Sequence, residues 1–407
     1  MNLPRHHLSV IGDFLMLLAL AGLFTGRPVV VAASAFVAGL WLFSWGFGRR
    51  ALARITVQQQ VRPWAVPIGE PVDLAVSVSN HFGWPIPVLE WSDQLPDLVE
   101  ASAARTGVVN TSEGRRPTVY GRFSMGRREI VTQHVVVRAQ RRGRYVFGPL
   151  YLALRDPLGV AELDRVDAAP TALTVFPQLF PLPGPLVLPM APRGARRGPP
   201  WNPPDPTRYI GVRPYEPGDS PRLIHPFASA RTGTLQVKRL ETEADDQVEL
   251  VALAATAPFL WQGIQSERLE SLVSAVASAA HHHLTRSAAV GLSLAGSVYG
   301  SPKGVDLPPR AGRDQWMRIQ TALAWVMPGG GEAGELGNAL TRLAQRARPG
   351  TQVFVFTCFY LDAWTPIVRR LSRRGMRVVW VAVAPREPWP TLPGVRMVTW
   401  TPEVVMP

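Results

Sequence analysis

RPYEPGDSPRLIHPFASAR, running from Arg213 to Arg231, is too ordered in its residue types for a random Pro-rich loop. Glu216-Pro217-Gly218-Asp219 puts Pro and Gly where a type II turn needs them, because Pro pre-sets φ and Gly accepts the positive φ that follows. Ser220-Pro221 then reads as an N-cap and first helical position of one short turn ending at Ile224. Arg213, Arg222 and Arg231 surround Asp219, while Tyr215, His225 and Ser229 add hydrogen-bonding tips. This composition favours a fixed polar knot. Leu235 and Val237 alternate with Thr234, Gln236 and Lys238, so the knot leads into a strand.

Outside this stretch, 407 residues with 46% hydrophobic content suffice for two soluble domains and a membrane element, and exclude a disordered chain. The formal charge of +13 rests on arginine, since Lys238 and Lys303 are the only lysines. The arginines are scattered, without an aromatic-interleaved basic module, which argues against nucleic acid and leaves contact with anionic lipid. Cys358 is the only cysteine, so no intrachain disulfide exists.

Two apolar runs, Leu8 to Thr25 and Pro28 to Phe47, are each about the length that spans a hydrocarbon core, and Gly26-Arg27-Pro28 joins them tightly. They predict a transmembrane helical hairpin over residues 1–50. Arg5 precedes it and Arg49, Arg50 and Arg54 follow, against Arg27 alone in the turn. That bias places a multi-pass protein in the plasma membrane with its soluble domains cytoplasmic. Asp13 lies near its helix start, where a carboxylate reaches the headgroups.

Residues 51–180 predict a β-sandwich: Val72, Leu74, Val76 and Val78 point one way, with Asp73, Ala75 and Ser77 between them. Residues 181–244 form a Pro/Arg-rich connector ending in the signature. From 245 to 407 strands alternate with helices. Val248 to Leu253, Val290 to Leu294, Val353 to Phe356, Val378 to Val383 and Val395 to Val398 are buried-strand runs. Leu269, Leu272, Val273 and Val276 share a helical face, as do Trp316, Ile319, Leu323 and Val326; Leu336, Leu340 and Leu343; and Trp364, Ile367, Val368 and Leu371. This is a doubly wound α/β pattern.

The signature resembles that of the bacterial domain-of-unknown-function family 58, through Arg213, Tyr215, Gly218, Asp219, Arg222, Ile224, His225, Ser229, Ala230, Arg231, Leu235, Val237 and Lys238. Pro226 stands where that family has Trp. Arg141-Arg142-Gly143-Arg144-Tyr145, Gly148-Pro149, Asp156-Pro157-Leu158-Gly159 and Val175-Phe176-Pro177 also match. The resemblance implies a von Willebrand factor A-like α/β domain, with a metal-ion-dependent adhesion site after its first strand. It further implies a MoxR-type AAA+ ATPase as partner. A hard divalent cation needs carboxylate and hydroxyl oxygens. Here Ala254, Thr256 and Pro258 occupy the corresponding positions, and only Thr256 carries a side-chain oxygen. The expectation is a degenerate site, with no metal and no cofactor.

Other groupings are weaker. His281, His282 and His283 end a helix and point in different directions, which suits cations at a helix C-terminus rather than chelation. Cys358 at a strand end reads as a small hydrophobe. Gly329-Gly330-Gly331 lacks the Lys-Ser/Thr of a phosphate loop. The leading reading is a membrane-anchored, non-enzymatic interaction or assembly factor. Its alternatives are a hydrolase using Asp219, His225 and Ser229, and an envelope structural or adhesion protein.

Overall fold

The computed structural model describes residues 17, 20–22, 24, 27–101, 106–111, 114–155, 162–167, 170–187, 209–240, 247–328, 333–387 and 389–403. Arg5, Asp13, Gly26, most of the apolar run 8–25, Asp156 to Gly159 and Gly329 to Gly331 lie outside the described residues. Two compact units form, one mainly from Met1–Gln178 and the other mainly from Leu179–Ala322 and Val326–Val404.

Helix α1 (Pro28–Ala53) has 26 residues, and among the described residues it alone is long and apolar enough to cross a membrane. The sequence predicts two such helices. Of the first run, Leu17, Leu20, Ala21, Gly22 and Phe24 are described, and they are helical. A Cβ at Gly22 would stand 2.2 Å from Ser34 Oγ of α1, so the two segments approach closely there. The second span also runs past its expected end at Phe47. The reason is that Phe47, Ala51 and Leu52 are buried in the core of the β-rich unit.

That unit contains β1 (Ile55–Arg62), β2 (Ala65–Pro67), β3 (Pro71–Asn80), β4 (Ile86–Gln94), β5 (Val99–Ala101), β6 (Thr106–Thr111), β7 (Gly114–Met125), β8 (Ile130–Ala139), β9 (Gly143–Phe147), β10 (Leu150–Arg155), β11 (Glu162–Asp167) and β12 (Thr171–Phe176). They pair as β1-β3-β8-β5, β11-β10-β4-β7-β6 and β2-β12-β9. The alternation expected in β3 holds: Val72, Leu74, Val76 and Val78 are buried, while Asp73 faces outward onto His134. Arg165 of β11 donates to the carbonyls of Leu52 at 2.6 Å and Ile55 at 3.0 Å. The first bond satisfies a carbonyl that the end of α1 leaves open, and together they tie α1 and the start of β1 to β11.

The second unit holds β13 (Tyr209–Pro214), α2 (Pro226–Thr232), β14 (Gln236–Leu240), β15 (Gln247–Leu253), α3 (Ser266–Thr285), β16 (Ala289–Ala295), β17 (Val305–Arg310), α4 (Arg313–Ala324), α5 (Ala333–Arg346), β18 (Gln352–Thr357), α6 (Thr365–Arg373), β19 (Arg377–Val383) and β20 (Arg396–Trp400). Its main sheet runs β17-β16-β15-β18-β19-β20, all parallel except β17. Leu250, Leu292 and Phe354 share one face, where His283 of α3 lies 5.1 Å from the Phe354 ring. Glu249 and Ser293 face the other way and meet Arg346 of α5. Helices therefore cover both faces, which is why the parallel strands read as continuous apolar runs.

Three expectations are corrected. β17 is missed by the sequence reading because Pro308 and Pro309 disguise it, and prolines are tolerated on an edge strand. His283 is not a helix-end cation: it is buried, and burial pushes its pKa down to about 4, so it packs as a neutral ring. The connector is not wholly extended, since Gly184–Leu186 forms a helical turn with Leu186 buried, and the Phe180 N–H donates to Ser278 of α3.

In the β-rich unit, Asp93 is fully buried, with no cation paired to it among the described residues. It accepts from Gln59 Nε2 at 2.6 Å and from the Gly148 N–H at 3.0 Å. Burial outweighs these bonds and pushes its carboxyl up to about 6. The stability from protonated Asp93 is therefore complete below the ordinary value near 3.8 and is lost as pH rises through about 6. Asp93→Asn should flatten the pH dependence of thermal unfolding across that window and stabilise the protein at pH about 8. Asp93→Ala should cost about 1–3 kcal/mol by stranding the Gly148 N–H and the Gln59 amide.

Candidate functional site

The signature forms a small structure of its own, in which β13 and β14 pair antiparallel and α2 packs on β14. The expected turn is present: the Asp219 N–H donates to Glu216 O at 3.0 Å, with Gly218 at φ +110°. Arg213 holds Asp219 with both ends of its fork, at 2.7 and 2.6 Å, and the Glu216 N–H adds a third bond at 2.9 Å. The hydrogen bond from Arg213 is the main reason that the Asp219 carboxyl lies below the usual carboxylate range. A 3₁₀ turn follows at Pro221–Leu223, but the Ser220 side chain does not cap it.

The next element was not legible as a helix. His225 is the N-cap of α2, its Nδ1 accepting from the Ala228 N–H at 3.2 Å, and Pro226 sits at the first helical positions. Proline suits that place because the helix needs no N–H there. Ser229 Oγ donates to His225 O at 3.0 Å and accepts from the Gln236 N–H at 2.8 Å, bolting α2 to β14. Asp219 thus closes the turn, while His225 and Ser229 meet only through the His225 carbonyl, and these bonds do not assemble the three side chains into a proton relay.

Several signature side chains are left outward. Among the described residues, the Arg222 and Arg231 side chains make no hydrogen bond or ion pair, and both are exposed. Phe227 is 85% exposed, Leu235 53% and Tyr215 36%. Phe227 and Arg231 are four residues apart on α2, so they share a face. Leu235 lies just before β14 and is exposed, contrary to the expected alternation, whereas Gln236 and Val237 are buried.

The positions compared with a metal site lie at the carboxyl end of the main sheet. Ala254 is buried and its N–H donates to Ala295 O, Pro258 is half-buried, and Thr256 Oγ1 accepts from the Gln265 N–H at 3.1 Å. Sequence reasoning missed Arg268, in the first turn of α3. Its Nη1 donates to Thr256 O at 2.7 Å, its Nε to Ala384 O at 2.9 Å and its Nη2 to Cys358 O. These carbonyls follow β15, β19 and β18, so a guanidinium bridges three strand ends. Its charge opposes a divalent cation at the same spot. Among the described residues, no group of three or more His, Cys, Asp or Glu is placed to hold a metal. Cys358 is buried and its thiol is pushed up to about 12, which suits packing rather than nucleophilic chemistry.

Residues 211–400 match the family described as "Protein of unknown function DUF58". That is the family the signature resembles. No curated protein matches the chain. Among solved structures, the CARDB domain of a Pyrococcus furiosus protein is 16% identical, over 30% of this chain and 91% of that one, with a TM-score of 0.20. A cohesin module from Clostridium perfringens is 8% identical, over 30% of this chain and 96% of that one, at 0.23. The Bacillus subtilis sporulation control protein Spo0M is 13% identical, over 30% and 49%, at 0.18. At such TM-scores the likenesses carry no argument about fold or function.

Ser229 tests the division within the DUF58-like signature. Ser229→Ala should lower stability by about 1–3 kcal/mol, because it strands the buried Gln236 N–H. Arg222→Gln and Arg231→Gln should leave the unfolding transition where it is. Chemical denaturation of the three variants in detergent reads both outcomes.

Proposed function

We propose that this protein is a membrane-anchored interaction or assembly factor whose signature presents a cationic and apolar surface to a protein partner. One observation carries the reading: Arg213, Asp219, His225 and Ser229 are spent on building the knot, while Arg222, Arg231, Phe227 and Leu235 are left outward. Aromatic and arginine side chains of this kind are the usual anchors of protein interfaces. The partner we favour is a MoxR-type AAA+ ATPase, on the strength of the signature's resemblance. An acidic face on that partner would complement the uncommitted arginines.

Membrane anchoring is supported by α1, whose Trp41 and Trp45 rings stack 6.5 Å apart with Arg49 over Trp45 at 4.7 Å. Aromatic rings and arginines in that order suit a headgroup boundary. The close approach of Gly22 to Ser34 supports the full hairpin, and the arginines after α1 favour soluble units in the cytoplasm. The sheet order supports a von Willebrand factor A-like domain, and Arg268 supports its operating without a metal ion. The hydrolase alternative gains nothing from the geometry of Asp219, His225 and Ser229.

A photo-cross-linking residue placed at Phe227 in the full-length protein, activated in living cells, tests the interface. The expected adduct is an AAA+ ATPase, and Arg231→Glu should reduce its yield about tenfold, the scale of a lost interface anchor. Adducts with lipid alone, or hydrolytic activity abolished by Ser229→Ala in a folded protein, would defeat the proposal.

A further inference from the structure

The carboxyl end of the main sheet holds a positive charge that no carboxylate among the described residues neutralises. A guanidinium has five N–H donors, and on Arg268 four point at neutral oxygens: Ala384 O, Thr256 O, Cys358 O and, at 3.5 Å, Gln265 Oε1. Among the described residues no carboxylate pairs with it, although Glu267 is its neighbour in sequence and is exposed. Burial disfavours its charge, and Arg386 adds repulsion. An arginine keeps its charge regardless. A half-buried cation without a counterion leaves part of its desolvation cost uncompensated, and a ligand carboxylate would offset it.

Two further observations converge on this place. The strand order turns about β15, with β16 on one side and β18 on the other, and ligands of open parallel sheets collect at the carboxyl ends of strands beside such a switch. The loop from Thr256 to Gln265, whose two ends hold Arg268, carries exposed apolar side chains. Phe259 is 57% exposed, Trp261 80% and Ile264 47%, and the Phe259 and Trp261 rings stack 5.9 Å apart. The fold buries neither ring. A cation without a counterion at the foot of a loop that carries an exposed aromatic pair suits a ligand with both characters.

We propose that this end of the sheet is a metal-independent docking site for a protein partner, in which a side-chain carboxylate meets Arg268 and Arg386 while a neighbouring apolar residue packs on Phe259 and Trp261. Arg268 brings the charge, and the three strand-end carbonyls fix its orientation. Arg386, exposed and without a partner among the described residues, supplies the second cation. The site is separate from the signature surface, so either can fail alone.

The test uses the full-length protein in detergent micelles and two probes, N-acetyl-aspartyl-phenylalanine amide and its asparaginyl counterpart. The aspartyl probe should bind in the millimolar range, about tenfold tighter than the asparaginyl one, because only it forms charge-assisted bonds. Trp261→Ser and Arg386→Gln change exposed residues and should each weaken binding severalfold without altering the unfolding temperature. Arg268→Gln should remove the preference for aspartyl; should that variant fail to fold, the other two decide. Equal affinity for both probes, binding that requires magnesium, or binding untouched by Trp261→Ser and Arg386→Gln would overturn the proposal. So would brominated phosphatidylglycerol quenching a fluorophore attached through Trp261→Cys, which would make the loop a lipid contact.

Discussion

A single carboxylate held in the fork of one guanidinium turns the signature from a Pro-rich loop into a scaffold. Asp219 takes both ends of Arg213 and the Glu216 N–H, and so closes the turn that Pro217 and Gly218 begin. With the turn closed, the chain reverses toward His225, which caps α2, and Ser229 then reaches the backbone of β14. Each later bond depends on the earlier geometry. Because the pair holds Asp219 below its ordinary range, the stability it contributes is present above the ordinary carboxylate value and is lost only as pH falls through the lower folded value.

The α/β unit treats its buried charges in two different ways. Glu249 on the central strand is buried, and Gly291 alongside leaves the necessary space, since a Cβ there would stand 2.3 Å from Glu249 Oε2. Arg346 reaches Glu249 at 3.3 Å, Ser293 at 3.0 Å and Asp306 at 2.5 Å, forming a shared network. Burial still wins at Glu249 and pushes its carboxyl up to about 7. That network is internally partnered. Arg268, by contrast, is partnered among the described residues only by neutral oxygens, and this contrast marks the strand ends rather than the strand middles as the outward-looking part of the sheet.

Much of this architecture was legible in the sequence because burial has a period. Val72 to Val78 alternate as a half-buried strand must, and Val248 to Leu253 run on as a strand covered on both sides must. What stayed hidden depends on contacts between residues far apart in the chain. Arg268 reads as one polar residue of an amphipathic helix, and only the meeting of three loops gives its guanidinium a place. Asp93 looks like one outward polar residue in a strand until Gly148 and Gln59 enclose it. Within the signature the residue types announced a knot. They did not say which arginine would hold Asp219, nor that Arg222 and Arg231 would be left outward.

The central claim is that Arg213 and Asp219 act as one unit to build the signature, leaving its other arginines for binding. A double-mutant cycle on the full-length protein, with Asp219→Asn, Arg213→Gln and the double variant followed by thermal unfolding, tests it most directly. The account predicts that the double variant loses no more stability than the more damaging single change. Losses that simply add, or single variants as stable as the parent, would contradict it.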